Sequence, residues 1–188
     1  MSLRVLTAAT SEPLDVRDAF RFHRVEGTGD DVDLERMISA AREYVENRTQ
    51  RRLITQTLEQ RLDYFPSVIE LDVLPVQSVT SVKYIDVDGD EQTVSTSVYT
   101  SDLYSQPCTI FPAYAQSWPS TRYIPNAVTI TFVAGYGEAE DVPAGMRVAM
   151  HLLIGDAYEM RADTIVGTIA QSVPRGVDAL IGGYKWRM

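Results

Sequence analysis

The apolar residues of this chain repeat with one period near both ends and another in the middle. Leu34, Met37, Ile38, Ala41, Tyr44 and Val45 recur at spacings of three and four, which places them on one helix face. From Thr55 the period drops to two. Leu58, Gln60, Leu62 and Tyr64 alternate with Thr57, Glu59, Arg61 and Asp63. Ile69, Leu71 and Val73 alternate with Glu70 and Asp72, and Val128, Ile130 and Phe132 with Thr129 and Thr131. The helical period returns at Met146, Ala149, Met150, Leu153, Ala157 and Tyr158. A helix pattern has no consistent face as a strand, nor a strand pattern as a helix, so the switches divide the chain.

The fold class that follows is α+β: a small helical bundle with an inserted antiparallel β module between the second and third long helical segments. Residues 1–55 and 143–188 are expected to form the helical core, and 56–142 the β module. At 188 residues the chain is long enough for one domain with a sizeable insertion. Pro13 to His23 reads as a short first helix with Ser11 as its N-cap and an apolar stripe of Leu14, Ala19 and Phe22. Asp30, Asp31 and Asp33 before the second helix, and Arg48, Arg51 and Arg52 at its end, complement the helix dipole. Asp88-Gly89 is a hairpin signal with Gln92 to Tyr99 as the return strand. Residues 100–125 read as a long loop with a short strand near Thr109 to Phe111. The third long helix opens at Pro143 and is expected to be buried on most sides. Val177 to Ile181 reads as one or two further helical turns.

Charge follows the same division. Residues 1–55 carry 10 acidic and 9 basic side chains, and residues 143–188 carry 4 and 5. Residues 56–142 carry 12 and only 3, so the formal charge of -9 falls on the β module. This marks the module as the part most exposed to solvent. A net charge of -9 also argues against a protein that grips nucleic acid by neutralising phosphates.

Chemistry-bearing patterns are scarce. Cys108 is the only cysteine, so no disulfide within the chain is possible. It reads as a small core or edge residue, with no Lys, Arg or His near it in sequence to activate the thiol. His23 and His151 lack partners at metal-ligand spacing and read as structural. Asp86 to Glu91 resembles the start of a calcium loop but has Glu91 where the loop needs glycine and Ser97 where it needs glutamate. There is no nucleophile elbow, P-loop or zinc-protease helix. No enzyme activity, cofactor or metal is expected. Met1 to Pro13 has no apolar core of a signal peptide, and the apolar stretch near Met146 to Ala157 is too short for a membrane span. Tyr99, Tyr104, Tyr114, Trp118 and Tyr123 form an aromatic-rich stretch that reads as either an exposed interface or packing onto the module's own core.

Several segments taken in order carry a resemblance. They include Asp30-Asp31 with the helix from Leu34 to Thr49, Arg52-Leu53, and Leu62-Asp63 with Phe65-Pro66. They continue with Leu74-Pro75-Val76, Ser78-Val79, Ser81-Val82, Tyr84, Asp86 and Asp88-Gly89. Trp118-Pro119, Val128 to Gly137, Val142-Pro143, Tyr158-Glu159 with Arg161, and Pro174 to Leu180 complete the set. Together they resemble the head–tail connector (adaptor) proteins of long-tailed bacteriophages, in the gp6-like and gp8-like branch, which also occur in prophages and gene transfer agents.

The resemblance implies a structural virion protein of the neck, assembled in the host cytoplasm. It implies a twelvefold ring beneath the portal that extends the DNA channel and offers a surface to the next connector or tail protein. DNA would pass through without being read, and no membrane is involved. The resemblance further implies that the C-terminal segment docks on the portal, with Tyr184, Lys185, Trp186 and Arg187 as anchors. Arg48, Arg51 and Arg52 are expected to face the neighbouring subunit, and Tyr104, Tyr114, Trp118 and Tyr123 to lie exposed on loops. Two other readings stay open: a tail-completion component on the same frame, and an enzyme whose site is assembled from distant carboxylates.

Overall fold

Leu34, Ile38, Ala41 and Val45 are all buried, as their spacing requires, along one face of the longest N-terminal helix. In the computed structural model, which describes residues 2–23, 31–162 and 175–185, that helix is α2 (Asp31–Thr49). It is preceded by strand β1 (Ser2–Thr7) and helix α1 (Val16–His23). Seven strands follow: β2 (Gln56–Leu62), β3 (Ile69–Leu71), β4 (Val76–Ile85), β5 (Glu91–Thr93), β6 (Tyr99–Asp102), β7 (Cys108–Pro112) and β8 (Val128–Ala134). A 3-10 turn (Ala139–Asp141) leads into α3 (Ala144–Ala162), then α4 (Arg175–Ile181) and a last 3-10 turn (Gly182–Tyr184). The class is α+β. No helix among the described residues is long and apolar enough to cross a membrane.

The chain divides into two compact units, residues 1–9 with 55–136 and residues 10–54 with 137–188. The N-terminal residues, expected with the helices, belong to the β unit, because β1 pairs antiparallel with β2 over Ser2 to Thr7. The boundary near 143 also moves, to Gly137. These shifts redistribute the charge. The β unit holds 9 acidic and 4 basic residues, net -5, and the helical unit 17 and 13, net -4. The expectation of a near-neutral helical frame is thus corrected. Glu138, Glu140 and Asp141 lie in the helical unit and Arg4 in the β unit.

In the β unit, five strands form an antiparallel sheet in the order β1-β2-β8-β4-β5, and three form a second sheet, β3-β7-β6. β8 alternates buried and half-buried residues along its whole length. Val128, Ile130, Phe132 and Ala134 meet Leu58, Ile69, Leu71, Val82, Cys108 and Ile110 in one core cluster drawn from both sheets. Gln60, fully buried, stitches β2 to the chain around β3. Its Nε2 donates to the Glu70 carbonyl at 2.7 Å, and its Oε1 accepts the Asp72 N–H at 3.1 Å. That explains how a polar residue is buried beside Leu58.

The expected return strand from Gln92 to Tyr99 breaks into two. β5 ends at Thr93, and the Ser95 hydroxyl accepts the Ser97 N–H, a local bond that competes with strand pairing. Tyr99 then opens β6 in the other sheet. The stretch read as loop contains the β6–β7 hairpin, held because β7 buries Cys108 and Ile110 against β3. At the Asp86 turn, one carboxylate oxygen accepts the N–H groups of Asp88, Gly89 and Asp90, and Gly89 adopts a φ of 103°. This is turn chemistry, as expected.

In the helical unit, α2 packs on α3 and α3 on α4. The N-cap of α1 is Asp15 instead of Ser11. Its carboxylate accepts the Arg17 N–H at 2.6 Å, two residues into the turn. α2 ends in a Schellman-type cap: Gln50 has a φ of 56°, and the Arg51 N–H donates to the Glu46 carbonyl at 3.2 Å. Met146, Ala149, Met150 and Ile154 of α3 are buried, but Val148 and Ala157 are exposed. α3 therefore has a buried stripe, where burial on most sides was expected.

Candidate functional site

Two surfaces carry the residues singled out by sequence, and two further features come from the structure alone. The first is the C-terminal segment with the end of α2. Arg51 is buried, and its Nε donates to the Tyr184 carbonyl at 2.8 Å. The ring of Tyr184 lies over Gly145 of α3; a Cβ built there would stand 3.6 Å from the ring and 3.5 Å from the Leu180 carbonyl. Lys185 Nζ meets Asp178 Oδ1 at 2.9 Å, and Arg48 Nε reaches the same oxygen at 3.4 Å. Tyr184 and Lys185, expected as portal anchors, are thus held against their own helical unit. Trp186 and Arg187 lie outside the described residues.

Of the three arginines expected at a subunit contact, only Arg48 has a largely exposed side chain. Arg51 ties down the C-terminal turn, and Arg52 pairs with buried Glu46 at 3.4 Å. Arg51 and Arg52 are corrected to internal roles. The cause is the cap of α2, which turns the chain back and carries both side chains inward.

The Lys185 hydrogen bond, more than any other contact, holds the Asp178 carboxyl below its ordinary range. A lowered folded-state value means that the clamp stabilises at pH above the unfolded carboxylate value, about 3.9, and is lost as pH falls through the folded one. The difference in melting temperature between the wild type and Asp178→Asn should be full at neutral pH and shrink to nothing in strong acid. Scanning calorimetry across pH checks this, and a difference that persists in acid would contradict it.

The second surface is the aromatic set, which the fold scatters. Tyr104 and Tyr114 are fully exposed at opposite ends of the β6–β7 hairpin. Tyr123 is fully exposed near the far end of β2, where with Tyr64 it lines a cleft of about 360 Å³ beside Asp63 and Arg122. Trp118 is corrected from an exposed position to a half-buried one against the core. It stacks on Phe65 with centroids 4.6 Å apart and planes 6° from parallel, and it packs against the cluster that contains Tyr99. An indole buries too much apolar area to be left in water when a ring face is within reach.

A third feature, missed by sequence reasoning, is a groove of about 810 Å³ in the helical unit. Residues from Ser11 to Asp18, the Glu35–Ser39 turn of α2, Glu140 and Arg147 line it. Its carboxylates include Glu12, which Arg42 and Ser39 hold at 2.7 and 3.1 Å, and Asp15, which caps α1. No sequence pattern marks it, since its walls come from segments about a hundred residues apart.

The fourth is β1, an edge strand in which every residue is exposed, Leu3 and Val5 included. Among the described residues, no group of His, Cys, Asp and Glu could hold a metal ion. Among the described residues, burial pushes up the carboxyls of Glu46 and Asp72, which lie in different units.

The sequence-marked residues of this two-unit α+β chain that the structure describes serve contacts and caps within their own units or stand exposed on the surface. No protein-family model matches the chain, and no curated protein does. Solved structures do match over the whole of it. A chain in the neck of an empty gene transfer agent particle, computed with sixfold symmetry, superposes with a TM-score of 0.80 at 25% identity. Chains from the native gene transfer agent virion and from its neck computed with twelvefold symmetry give 0.79 and 0.76, each at 26% identity. Each comparison covers 100% of this chain and 97% of the other. These likenesses support a structural part in the neck of a phage-like particle.

Proposed function

We propose that this chain forms a ring between the portal and the tail of a phage-like particle and extends the DNA channel without performing a reaction. The observation that carries the reading is the end-to-end likeness to neck chains in particles solved with sixfold and twelvefold symmetry. A ring subunit must present two unlike faces that meet head-to-tail. The net charge of -9, shared by both units, suits a channel through which a polyanion slides. The head–tail connector resemblance of the sequence points to the same place, with the portal on one side and a further connector or tail protein on the other.

Mixing the purified chain with its portal protein and imaging by negative stain tests the proposal. Rings of the chain stacked coaxially on portal rings are expected. A chain that ignores the portal and binds only an isolated tail protein would move it to a tail-completion role and overturn the portal reading.

A further inference from the structure

The five-stranded sheet has two open sides. On one, β1 presents its outer edge, and all six of its residues, Ser2–Thr7, are exposed. On the other, β5 pairs only with Lys83 to Ile85 of β4, so residues 76–81 of β4 meet no strand on that side among the described residues. Gln77, Ser78 and Thr80 of this stretch are exposed. The two open stretches are equal in length.

Proline and charge, two of the usual guards of an edge, are nearly absent from both sides, although β4 shifts register at Val76–Ser78 and Val79–Ser81 and β1 at Val5–Thr7. β1 has no proline and a single charge, Arg4, and it leaves Leu3, Val5 and Leu6 exposed at 36%, 42% and 46%. The open part of β4 carries no charge at all, only Val, Gln, Ser and Thr. Long uncharged edges pair with another chain unless something covers them.

Strand direction fixes which pairing repeats. Each neighbour in the order β1-β2-β8-β4 is antiparallel, so β1 and β4 run in opposite senses within one subunit. In a ring whose subunits share one orientation, β1 of one copy therefore meets β4 of the next antiparallel, the favoured ladder. Pairing of β1 with another β1 would instead be two-fold and close a dimer. An unlike-edge contact is the kind a ring needs.

We propose that β1 of each subunit adds to the open edge of β4, residues 76–81, in a second copy of this chain. This rests on the ring reading above. The contact joins the β units of successive subunits through backbone hydrogen bonds, with Leu3, Val5 and Leu6 gaining cover at the joint.

Two variants test it in the full chain, alone and on its portal. Leu3→Lys with Val5→Lys places charge on the edge without touching the core cluster, so the melting temperature should hold. The concentration for half-assembly should rise by at least about tenfold, since charged edges resist strand addition. Arg4→Cys with Thr80→Cys should give, under mild oxidation, a disulfide-linked ladder beyond the dimer, and Arg4→Cys alone no ladder. Efficient dimers from Arg4→Cys alone would show β1–β1 pairing and overturn the proposal. Rings that form equally well with both lysines would overturn it while leaving the ring reading intact. A wild-type chain that makes no rings, alone or on the portal, would overturn the ring reading and this contact with it.

Discussion

Replacing Glu46 with alanine should cost about 3–5 kcal/mol, the scale for breaking a buried charge network from one side. Glu46 is 4% exposed near the end of α2. One of its oxygens accepts the Leu53 N–H at 2.9 Å, and the other faces Arg52 at 3.4 Å and Arg42 at 3.5 Å. Arg42 keeps Glu12 when Glu46 is lost. Arg52 does not have that reserve. Its side chain is 16% exposed and its Nε already lacks a hydrogen-bond partner. Truncation strands this guanidinium and the Leu53 N–H together.

Glu46→Gln separates the two effects, because an amide oxygen still accepts from Leu53. It should cost clearly less than Glu46→Ala in urea denaturation with unchanged slope. Burial pushes the Glu46 carboxyl up, against the pull of the Leu53 N–H and the two guanidiniums. A raised folded-state value means that the folded chain holds the proton more tightly. Stability from this group is therefore greatest below the unfolded carboxylate range and falls as pH rises through the folded value. Glu46→Gln should remove that fall. Equal losses for the alanine and glutamine variants would show that the Leu53 hydrogen bond contributes nothing and that the charge facing Arg52 and Arg42 carries the effect, and no loss in either would show that the network has no part in the fold.

The long helices and β8 were legible because each buries one continuous face. Leu34, Ile38, Ala41 and Val45 lie at helical spacing, and Val128, Ile130, Phe132 and Ala134 at strand spacing, with every one buried. β1 was not legible because none of its residues is buried and its pattern reports no core. The β6–β7 hairpin was hidden among Ser, Pro and Tyr residues that read as loop. Only pairing with β3, which is distant in sequence, gives Ile110 and Cys108 a place to be buried. Periodicity senses the face a segment turns to its own core, and it is blind to edges.

The candidate surfaces were legible only as residue types. Tyr104, Tyr114 and Tyr123 are exposed, yet nothing in the sequence says that they lie at different ends of the strands. Trp118 belongs to the same Tyr- and Pro-rich stretch and ends half-buried against the core, because Phe65 offers it a ring to stack on. Charge was legible in total but not in place. The units interleave along the chain, so a count over residues 56–142 credited the β unit with Glu138, Glu140 and Asp141 of the helical one.

Arg51→Glu should cost about 3–5 kcal/mol or prevent folding, whereas Arg48→Glu should leave the melting temperature within a few degrees of wild type. The two residues are three apart and of the same type, and burial decides between them. Arg51 is 7% exposed, and its Nε donates to the Tyr184 carbonyl at 2.8 Å. A carboxylate there sets an anion against a carbonyl oxygen in place of a donor, out of water. Arg48 is half exposed, and the Asp178 that it meets keeps Lys185 at 2.9 Å. Exposed pairs of this kind contribute little. Reversing all three arginines would therefore unfold the C-terminal turn before it tested any contact between subunits. Arg48→Glu alone leaves the fold in place and reads the surface. Thermal unfolding of the two single variants checks the contrast, and equal melting temperatures would show that the Tyr184 carbonyl has no need of Arg51.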